Sequence, residues 1–522
     1  MSGPATDFLQ SDFGLLADLL RLHAIEQPGK PARMQDDAPD RPAATISYAA
    51  LDATMDRIAA ALQRDGLGKG DAIAVVAATS LNYAMLYLGT LRAGLAVAPL
   101  APSSTPESLA AMALDADAKI LFLDADAEAA LASLPPGLAS GRFRRIRLDD
   151  GSFEAWLAPE GSKPRPVDIA PDDAFNIIYS SGTTGTPKGI VQPHRMRWGH
   201  VRRGAFYGYD ANSTTLLSTP LYSNTTLTSF FPTLGLGGCA LLMAKFDPQK
   251  YLQLAEKHRV THTMLVPVQY ARLLQREDFG RYDLSAFRGK FSTSAPLSAE
   301  LKADILKRWP GGMTEVYGMT EGGGACLLQA HLFPDKLHTV GRPAPGHVIK
   351  LIDDAGHEVA AGETGEIVGH SGAIMNGYHN QPDKTAEAEW FDTQGRRYIR
   401  TGDIGRFDED GFLILLDRKK DLIISGGFNI YPSDLEATLS MHPAVAECAV
   451  VGVPSERWGE TPMGFAVLKP GATDTAETIL AATNAQLGKT QRLAGLHLLD
   501  TLPRSAIGKI LKRDLRAMLP PG

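Results

Sequence analysis

The stretch that most limits what this chain can fold into is Tyr179-Ser180-Ser181-Gly182-Thr183-Thr184-Gly185-Thr186-Pro187-Lys188-Gly189. It follows Ala174-Phe175-Asn176-Ile177-Ile178, an apolar run that reads as a buried strand. Glycines permit positive φ and close approach of backbone to ligand. Hydroxyls and a concave run of backbone N–H groups bind anions, and a lysine adds a point charge suited to phosphate. Strand, glycine-rich loop and lysine together predict a loop that cradles a polyphosphate. The run is not a Walker A loop, because Pro187 precedes the lysine and Gly189 follows it.

The flanking sequence predicts the frame that carries such a loop. Ala72 to Ala78, Ala96 to Leu100 and Lys119 to Leu123 are apolar runs typical of parallel strands buried on both faces. Helical spacing separates them at Leu51 to Gln63, Asn82 to Ala93 and Pro106 to Ala116. Strands alternating with helices indicate doubly wound α/β architecture. The alternation resumes after the loop with strands near Thr215 to Thr219, Ala240 to Met243 and Thr263 to Pro267, and with helices at Phe246 to His258 and Glu300 to Trp309. Leu134 to Pro171, polar and rich in Gly, Pro and Asp, reads as surface connection. Val348 to Ile352 and Glu366 to Val368 read as strands of a smaller antiparallel unit. From about Asp421 the pattern shortens to an α+β unit of helices and strands ending at Ile510 to Met518. The predicted organisation is an N-terminal domain over 1–418 and a C-terminal domain over 421–522, joined at the charged run Asp417-Arg418-Lys419-Lys420-Asp421.

Composition narrows the class. A chain of 522 residues is too long for a single core. Its formal net charge of -7 argues against a nucleic-acid partner, which would want a basic face. Cys239, Cys326 and Cys448 form no C-x-x-C pair, so neither a disulfide framework nor a zinc site is expected. Met1 to Ser11 lacks the apolar core of a signal peptide. Leu81 to Pro102, which carries Asn82 and Arg92, falls short of a membrane span. A cytoplasmic enzyme is expected.

The loop resembles the phosphate-binding signature of the adenylate-forming superfamily, which comprises acyl- and aryl-CoA synthetases, peptide-synthetase adenylation domains and beetle luciferases. Four further runs resemble that family's other signatures, in the same order: Thr314-Glu315-Val316-Tyr317-Gly318-Met319-Thr320-Glu321, Tyr398 to Asp403, Ile423 to Pro432, and Leu502-Pro503-Arg504-Ser505-Ala506-Ile507-Gly508-Lys509-Ile510. Any one alone has a commoner use. A Tyr-Gly turn is frequent, a lone T-G-D is usually a capped turn, and a Lys beside Gly near a C-terminus is usually solvated. Ser433 reads locally as an N-cap.

The resemblance implies the roles. Ser180, Ser181, Gly182, Thr183, Thr184 and Lys188 would hold the phosphates of ATP. Tyr317 would stack on adenine beside Ala295 and Pro296, with Glu315 near the adenine amino group; glycine is more usual than Ser294 ahead of that wall. Thr320 would contact the α-phosphate and Glu321 would bind Mg²⁺. Asp403 and Arg418 would hold the ribose. Lys509 would be the catalytic lysine and Lys420 the hinge of a mobile C-terminal domain. Gly426, Gly427, Phe428, Tyr431 and Trp458 would face CoA. The acyl pocket would draw on His194, Tyr222, Ser223, Asn224, Gly318 and Gly322, with His194 counted among the catalytic residues. Many relatives carry histidine where Ser223 stands. A small residue there, and the absence of bulk at Gly322-Gly323-Gly324, suggest a medium-chain, branched or aryl acid. The implied reaction is AMP-forming carboxylate–CoA ligation with ATP and Mg²⁺, and the resemblance admits a homodimer. The chain ends within a short helix after Lys509, which favours free CoA over a fused carrier. A stand-alone enzyme loading a separate carrier protein is the alternative, ahead of an inactive nucleotide-binding relative.

Overall fold

The computed structural model describes residues 3–36, 43–132, 143–180, 188–425, 428–455, 458–488, 491–505 and 510–519, the side chains at 180, 420, 428 and 429 excepted. The chain packs as two compact units. One comprises Met1–Leu337, Ala344–Val348 and Gly369–Ile399; the other comprises His338–Pro343, Ile349–Val368 and Arg400–Gly522.

Two sheets build the first unit. In one, the strands Ala72–Val76, Ala96–Leu100, Ala118–Leu123 and Arg144–Arg147 run parallel, and Ala174–Ser180 continues them beside Ala96–Leu100. Lys188–Pro193 then folds back antiparallel on Ala174–Ser180, and Gly377–Tyr378 closes that edge. In the other sheet, Pro31–Gln35, Cys239–Leu242, Thr214–Leu217, His262–Leu265, Gly289–Ser292 and Gly312–Tyr317 are parallel neighbours in that order, with Ala44–Ser47 and Cys326–Gln329 antiparallel at the edges.

One continuous core joins residues of both sheets, such as Ile73, Val75, Leu217 and Leu242, to helices Leu16–Glu26, Tyr48–Arg64, Leu81–Arg92 and Asn224–Gly235. Helix Leu81–Arg92 is apolar all round because every residue from Tyr83 to Arg92 is buried. Ser80 caps it by accepting from the Tyr83 N–H at 3.2 Å. Its one basic residue, Arg92, is satisfied by Asp56 at 2.8 Å and Asp52 at 2.6 Å.

In the second unit, the part of strand Arg397–Phe407 from Arg400 onward pairs antiparallel with Leu413–Arg418. A further sheet orders Phe428–Ile430, Ile423–Ser425, Gly459–Leu468 and Val445–Ser455, with Gly495–Leu498 parallel to Gly459–Leu468. Helices Pro432–Ser440 and Ala476–Gln486 contribute Leu435, Leu439 and Ile479 to its core. The expectation of an α/β chain with a large N-terminal domain of several sheets and a small C-terminal α+β domain holds.

Two local expectations do not. The described part of 134–171 is not simply surface connection: Arg144–Arg147 is a strand and Ser152–Trp156 a helix that buries Phe153 and Trp156. The strand lies at the sheet edge and buries only Ile146 of its four residues, so its arginines read as loop. Ser433 is not the N-cap of its helix. Tyr431 takes that position, and Pro432 occupies the first turn with its fixed φ. The Ser433 N–H is satisfied instead by Asp417 Oδ2 at 2.8 Å.

Candidate active site

The loops that follow the carboxyl ends of parallel strands bring together most of the expected site residues of the first unit. Open α/β sheets bind ligands at that edge. Tyr222, Ser223 and Asn224 follow Thr214–Leu217; Ala295 and Pro296 follow Gly289–Ser292; Thr320 and Glu321 follow Gly312–Tyr317. Strands Gly289–Ser292 and Gly312–Tyr317 are direct neighbours, with Ser292 opposite Glu315. The segment Ala295–Pro296, expected to wall adenine, and Tyr317 therefore spring from adjacent strand ends.

The phosphate-loop run bridges a β-hairpin in which Ser180 stands opposite Lys188. Ser181, Gly182, Thr183 and Thr184 lie outside the described residues. Lys188 Nζ sits 4.9 Å from the centroid of the Tyr378 ring. The Tyr378 hydroxyl donates to Glu321 Oε1 at 2.8 Å, and the Met375 N–H donates to the Glu321 carbonyl at 2.9 Å. Burial first, and then the Glu321 charge, push the Tyr378 hydroxyl well above its ordinary pKa, so it is a donor at neutral pH.

Thr320 is held from the same hairpin. Gln192 Nε2 donates to the Thr320 carbonyl at 2.6 Å. The Gln192 side-chain oxygen accepts from Asn176 Nδ2 at 2.8 Å and from the Arg197 guanidinium. Arg197 is 1 % exposed and lies against Phe175 and Phe231. Burial lowers its pKa to about 10, still charged at pH 7.

Glu315 is placed differently from an open nucleobase contact. Its Oε2 forms an ion pair with Lys302 Nζ at 2.5 Å, with side chains 4 % and 2 % exposed, and its Oε1 accepts from the Leu297 N–H at 3.2 Å. The Leu297 bond ties the segment after Pro296 to the strand that carries Tyr317. Ser294 has φ +77°, the left-handed region in which a side chain costs about 1–2 kcal/mol. That is the physical reason glycine suits this position. Its Oγ and Thr225 Oγ1 are 2.6 Å apart, which links this loop to helix Asn224–Gly235.

His194 opens helix His194–Arg203 and is 4 % exposed, edge-on to Phe175 with ring centroids 5.0 Å apart. Burial lowers its pKa to about 4, so it is neutral. It makes no described contact with Lys188, Thr320 or Glu321. Tyr222 and Asn224 are half-buried and Ser223 is buried. The glycines of the expected acyl pocket are not equivalent. A Cβ at Gly322, φ +78°, would lie 2.0 Å from the Ala373 carbonyl oxygen, and one at Gly323, φ +83°, 2.6 Å from that of Gly369. Close backbone packing requires these two, so their lack of bulk does not open pocket volume as the sequence suggested. A Cβ at Gly318 would meet nothing nearer than Ala325 Cβ at 3.5 Å, an ordinary van der Waals contact.

In the second unit, Asp403 and Arg418 are cross-strand partners with a salt bridge of 3.2 Å. Lys419 pairs with Asp354 at 2.7 Å and Glu366 at 3.2 Å. Lys420 lies in the short turn Lys419–Asp421, and its side chain is outside the described residues. Tyr431 is half-buried and Trp458 is 48 % exposed. Phe428 begins a strand, with its side chain undescribed; Gly426, Gly427 and Lys509 lie outside the described residues.

Sequence reasoning missed Tyr378, Gln192, Arg197 and Lys302. Only Gln192, a polar residue inside an apolar strand, carried a local signal.

Residues 20–379 match the family described as AMP-binding enzyme, and residues 434–509 match the AMP-binding enzyme C-terminal domain. The chain is 31 % identical over 511 residues to the fatty acid–[acyl-carrier-protein] ligase ScoC of Streptomyces coeruleorubidus, covering 96 % of each chain. It is 30 % identical over 496 residues to 4-coumarate-CoA ligase 1 of Narcissus pseudonarcissus, covering 91 % of this chain and 89 % of that one. The structure of ATP-bound MatB from Rhodopseudomonas palustris superposes with a TM-score of 0.86 at 29 % identity, covering 97 % of this chain and 99 % of that one.

Proposed function

The chain belongs to the AMP-binding enzyme family of adenylate-forming acid–thiol ligases, and we propose that it activates a medium-chain, branched or aryl carboxylic acid and transfers it to CoA. The observation that carries this reading is the grouping of Lys188, Thr320 and Glu321 along one hairpin, through Tyr378 and Gln192.

A carboxylate is a poor electrophile because its charge repels nucleophiles. One carboxylate oxygen attacks the α-phosphorus of ATP, the bond from that phosphorus to the bridging oxygen breaks, and pyrophosphate leaves. A thiol then attacks the acyl carbonyl and AMP leaves. The barrier of the first step is charge on phosphate, and preorganised cations and donors lower it. Lys188 would neutralise the β- and γ-phosphates, and the Thr320 hydroxyl would donate to the α-phosphate. Tyr317 and the Ala295–Pro296 segment would enclose adenine, while Asp403 would accept from the ribose hydroxyls. Lys509 would stand between carboxylate and α-phosphate.

The donor set fits Mg²⁺. Tyr378 takes one oxygen of Glu321, no described group takes the other, and no cluster of three ligating side chains forms among the described residues. Mg²⁺ is usually held by one or two carboxylates together with phosphate oxygens. When bound, it would supply Lewis-acid stabilisation of phosphate charge. The proposed C-terminal domain, 421–522, would present Lys509 for the first step and Gly426, Gly427, Phe428, Tyr431 and Trp458 to the pantetheine arm for the second, turning at Lys420.

A carrier protein as acceptor is the second reading, favoured by the similarity to an acyl-carrier-protein ligase over 96 % of the chain. Pyrophosphate release from ATP and Mg²⁺, measured across fatty, hydroxy, benzoic and cinnamic acids with and without CoA, tests both. Acid-dependent release with CoA-driven turnover to acyl-CoA and AMP is expected. Release that ignores CoA and responds to a phosphopantetheinylated carrier would support the second reading. No release with any acid would refute both.

A further inference from the structure

Lys188 and Glu321 carry opposite charges, both are long, and both reach the same tyrosine. Yet among the described residues no carboxylate lies within ion-pair distance of the Lys188 ammonium. Tyr378 stands between them, its ring face beneath Lys188 Nζ at 4.9 Å and its hydroxyl on Glu321 Oε1 at 2.8 Å. We propose that Tyr378 is a positioning residue that holds Lys188 and Glu321 apart, and so keeps the phosphate site open before nucleotide binds.

The chemistry of the phenol suits this task. A π face attracts an ammonium, and a hydroxyl donates to a carboxylate in a charge-assisted bond. One rigid side chain thus gives each charge its own partner. Without it the two would neutralise one another, removing the cation meant for phosphate and the carboxylate meant for Mg²⁺.

The fold fixes the tyrosine for this role. The segment 376–379 is zipped to the hairpin strand: the Asn376 N–H donates to Val191 O at 2.8 Å and the His379 N–H to Gly189 O at 2.7 Å. The Tyr378 N–H donates to Thr385 Oγ1 at 2.9 Å. Its ring packs with Ile190, Ile374, Met375 and Ile399. The same segment grips the backbone around Glu321 through Met375 N–H to Glu321 O and Gly323 N–H to Ala373 O, both 2.9 Å. Lys188 and Glu321, distant in sequence, are therefore registered against one short strand.

The metal side of this inference rests on the reading of Glu321 as the Mg²⁺ ligand, so the decisive measurement leaves metal out. Calorimetric binding of ATP to the full-length protein in EDTA would be compared for wild type, Tyr378→Phe, Glu321→Gln and the double variant. Tyr378→Phe is expected to weaken metal-free binding about tenfold, or about 1.4 kcal/mol, because Glu321 closes on Lys188. In the Glu321→Gln background the same substitution is expected to change binding less than twofold, since the neutral amide offers the ammonium no opposing charge. Binding by Tyr378→Phe within twofold of wild type would overturn the proposal. So would an equal loss in both backgrounds, which is what a merely structural tyrosine would give. A parallel titration of pyrophosphate exchange with Mg²⁺ separates the underlying reading: if Glu321→Gln leaves the Mg²⁺ dependence unchanged, Glu321 is not the ligand, whatever the tyrosine does.

Discussion

Replacing Lys302 by Met tests how the strand end beneath Tyr317 is held. Lys302 Nζ lies 2.5 Å from Glu315 Oε2, with both side chains at most 4 % exposed, and also donates to the Leu337 carbonyl at 2.7 Å. Methionine keeps the length and removes the charge. Glu315 is then left with the Leu297 N–H alone. Removing one partner of a buried pair costs about 3–5 kcal/mol, because the other charge stays desolvated. Burial already holds the Glu315 carboxyl above its ordinary range, and Lys302 is the largest opposing influence. Losing Lys302 raises it further. A carboxyl whose pKa is higher folded than unfolded contributes stability below the unfolded value and loses it as pH rises through the folded value. The deficit of Lys302→Met is therefore expected to be larger at pH 8 than at pH 5.

Urea unfolding followed by tryptophan fluorescence measures this. Trp309, buried at the end of the same helix, reports the local transition. The double variant Lys302→Met with Glu315→Leu removes both charges and is expected within about 1 kcal/mol of wild type, since a buried pair exchanges with apolar residues at little net cost. A Lys302→Met deficit below about 1 kcal/mol, one independent of pH, or a double variant as unstable as the single would refute the argument.

Other outcomes follow from the geometry. Buried His194 and His262 have pKa values of about 4, below the unfolded value near 6.5, so the unfolded chain binds more protons as pH falls from about 6.5 to 4. Each should cost about 3 kcal/mol across that range, and His194→Gln should flatten the fall in urea midpoint between those pH values. Gly322→Ala should abolish pyrophosphate exchange and lower the melting temperature, because its Cβ meets the Ala373 carbonyl at 2.0 Å and shifts Glu321. Gly318→Ala should fold as wild type and shift preference toward smaller acids, read from kcat/KM across an acid series. Lys509→Ala should abolish adenylate formation and spare thioester formation from supplied acyl adenylate; equal loss in both half-reactions would contradict two arrangements of the C-terminal domain.

Much of the architecture was legible in the chain because the interior strands are buried on both faces. Ala72–Val76 and Ala96–Leu100 read as strands since every residue in them is buried, and a continuous apolar run between turn residues has few other uses. The strand Arg144–Arg147 escaped because an edge strand buries so little. The candidate motif residues could be named from the sequence because they are local in it: Lys188 in its loop, and Thr320 and Glu321 after Tyr317.

What sequence alone determined is the set of short runs, where neighbouring residues act together and order along the chain carries the information. Only the tertiary structure decided which distant residues govern them. Tyr378 joins Lys188 to Glu321, Gln192 holds Thr320, Lys302 neutralises Glu315, and the Ala373 carbonyl explains Gly322. Each of these is a contact across many residues of chain, set by strand register and helix placement. A one-dimensional pattern has no term for such pairings, and they arise only when the two sheets and their edge strand are packed.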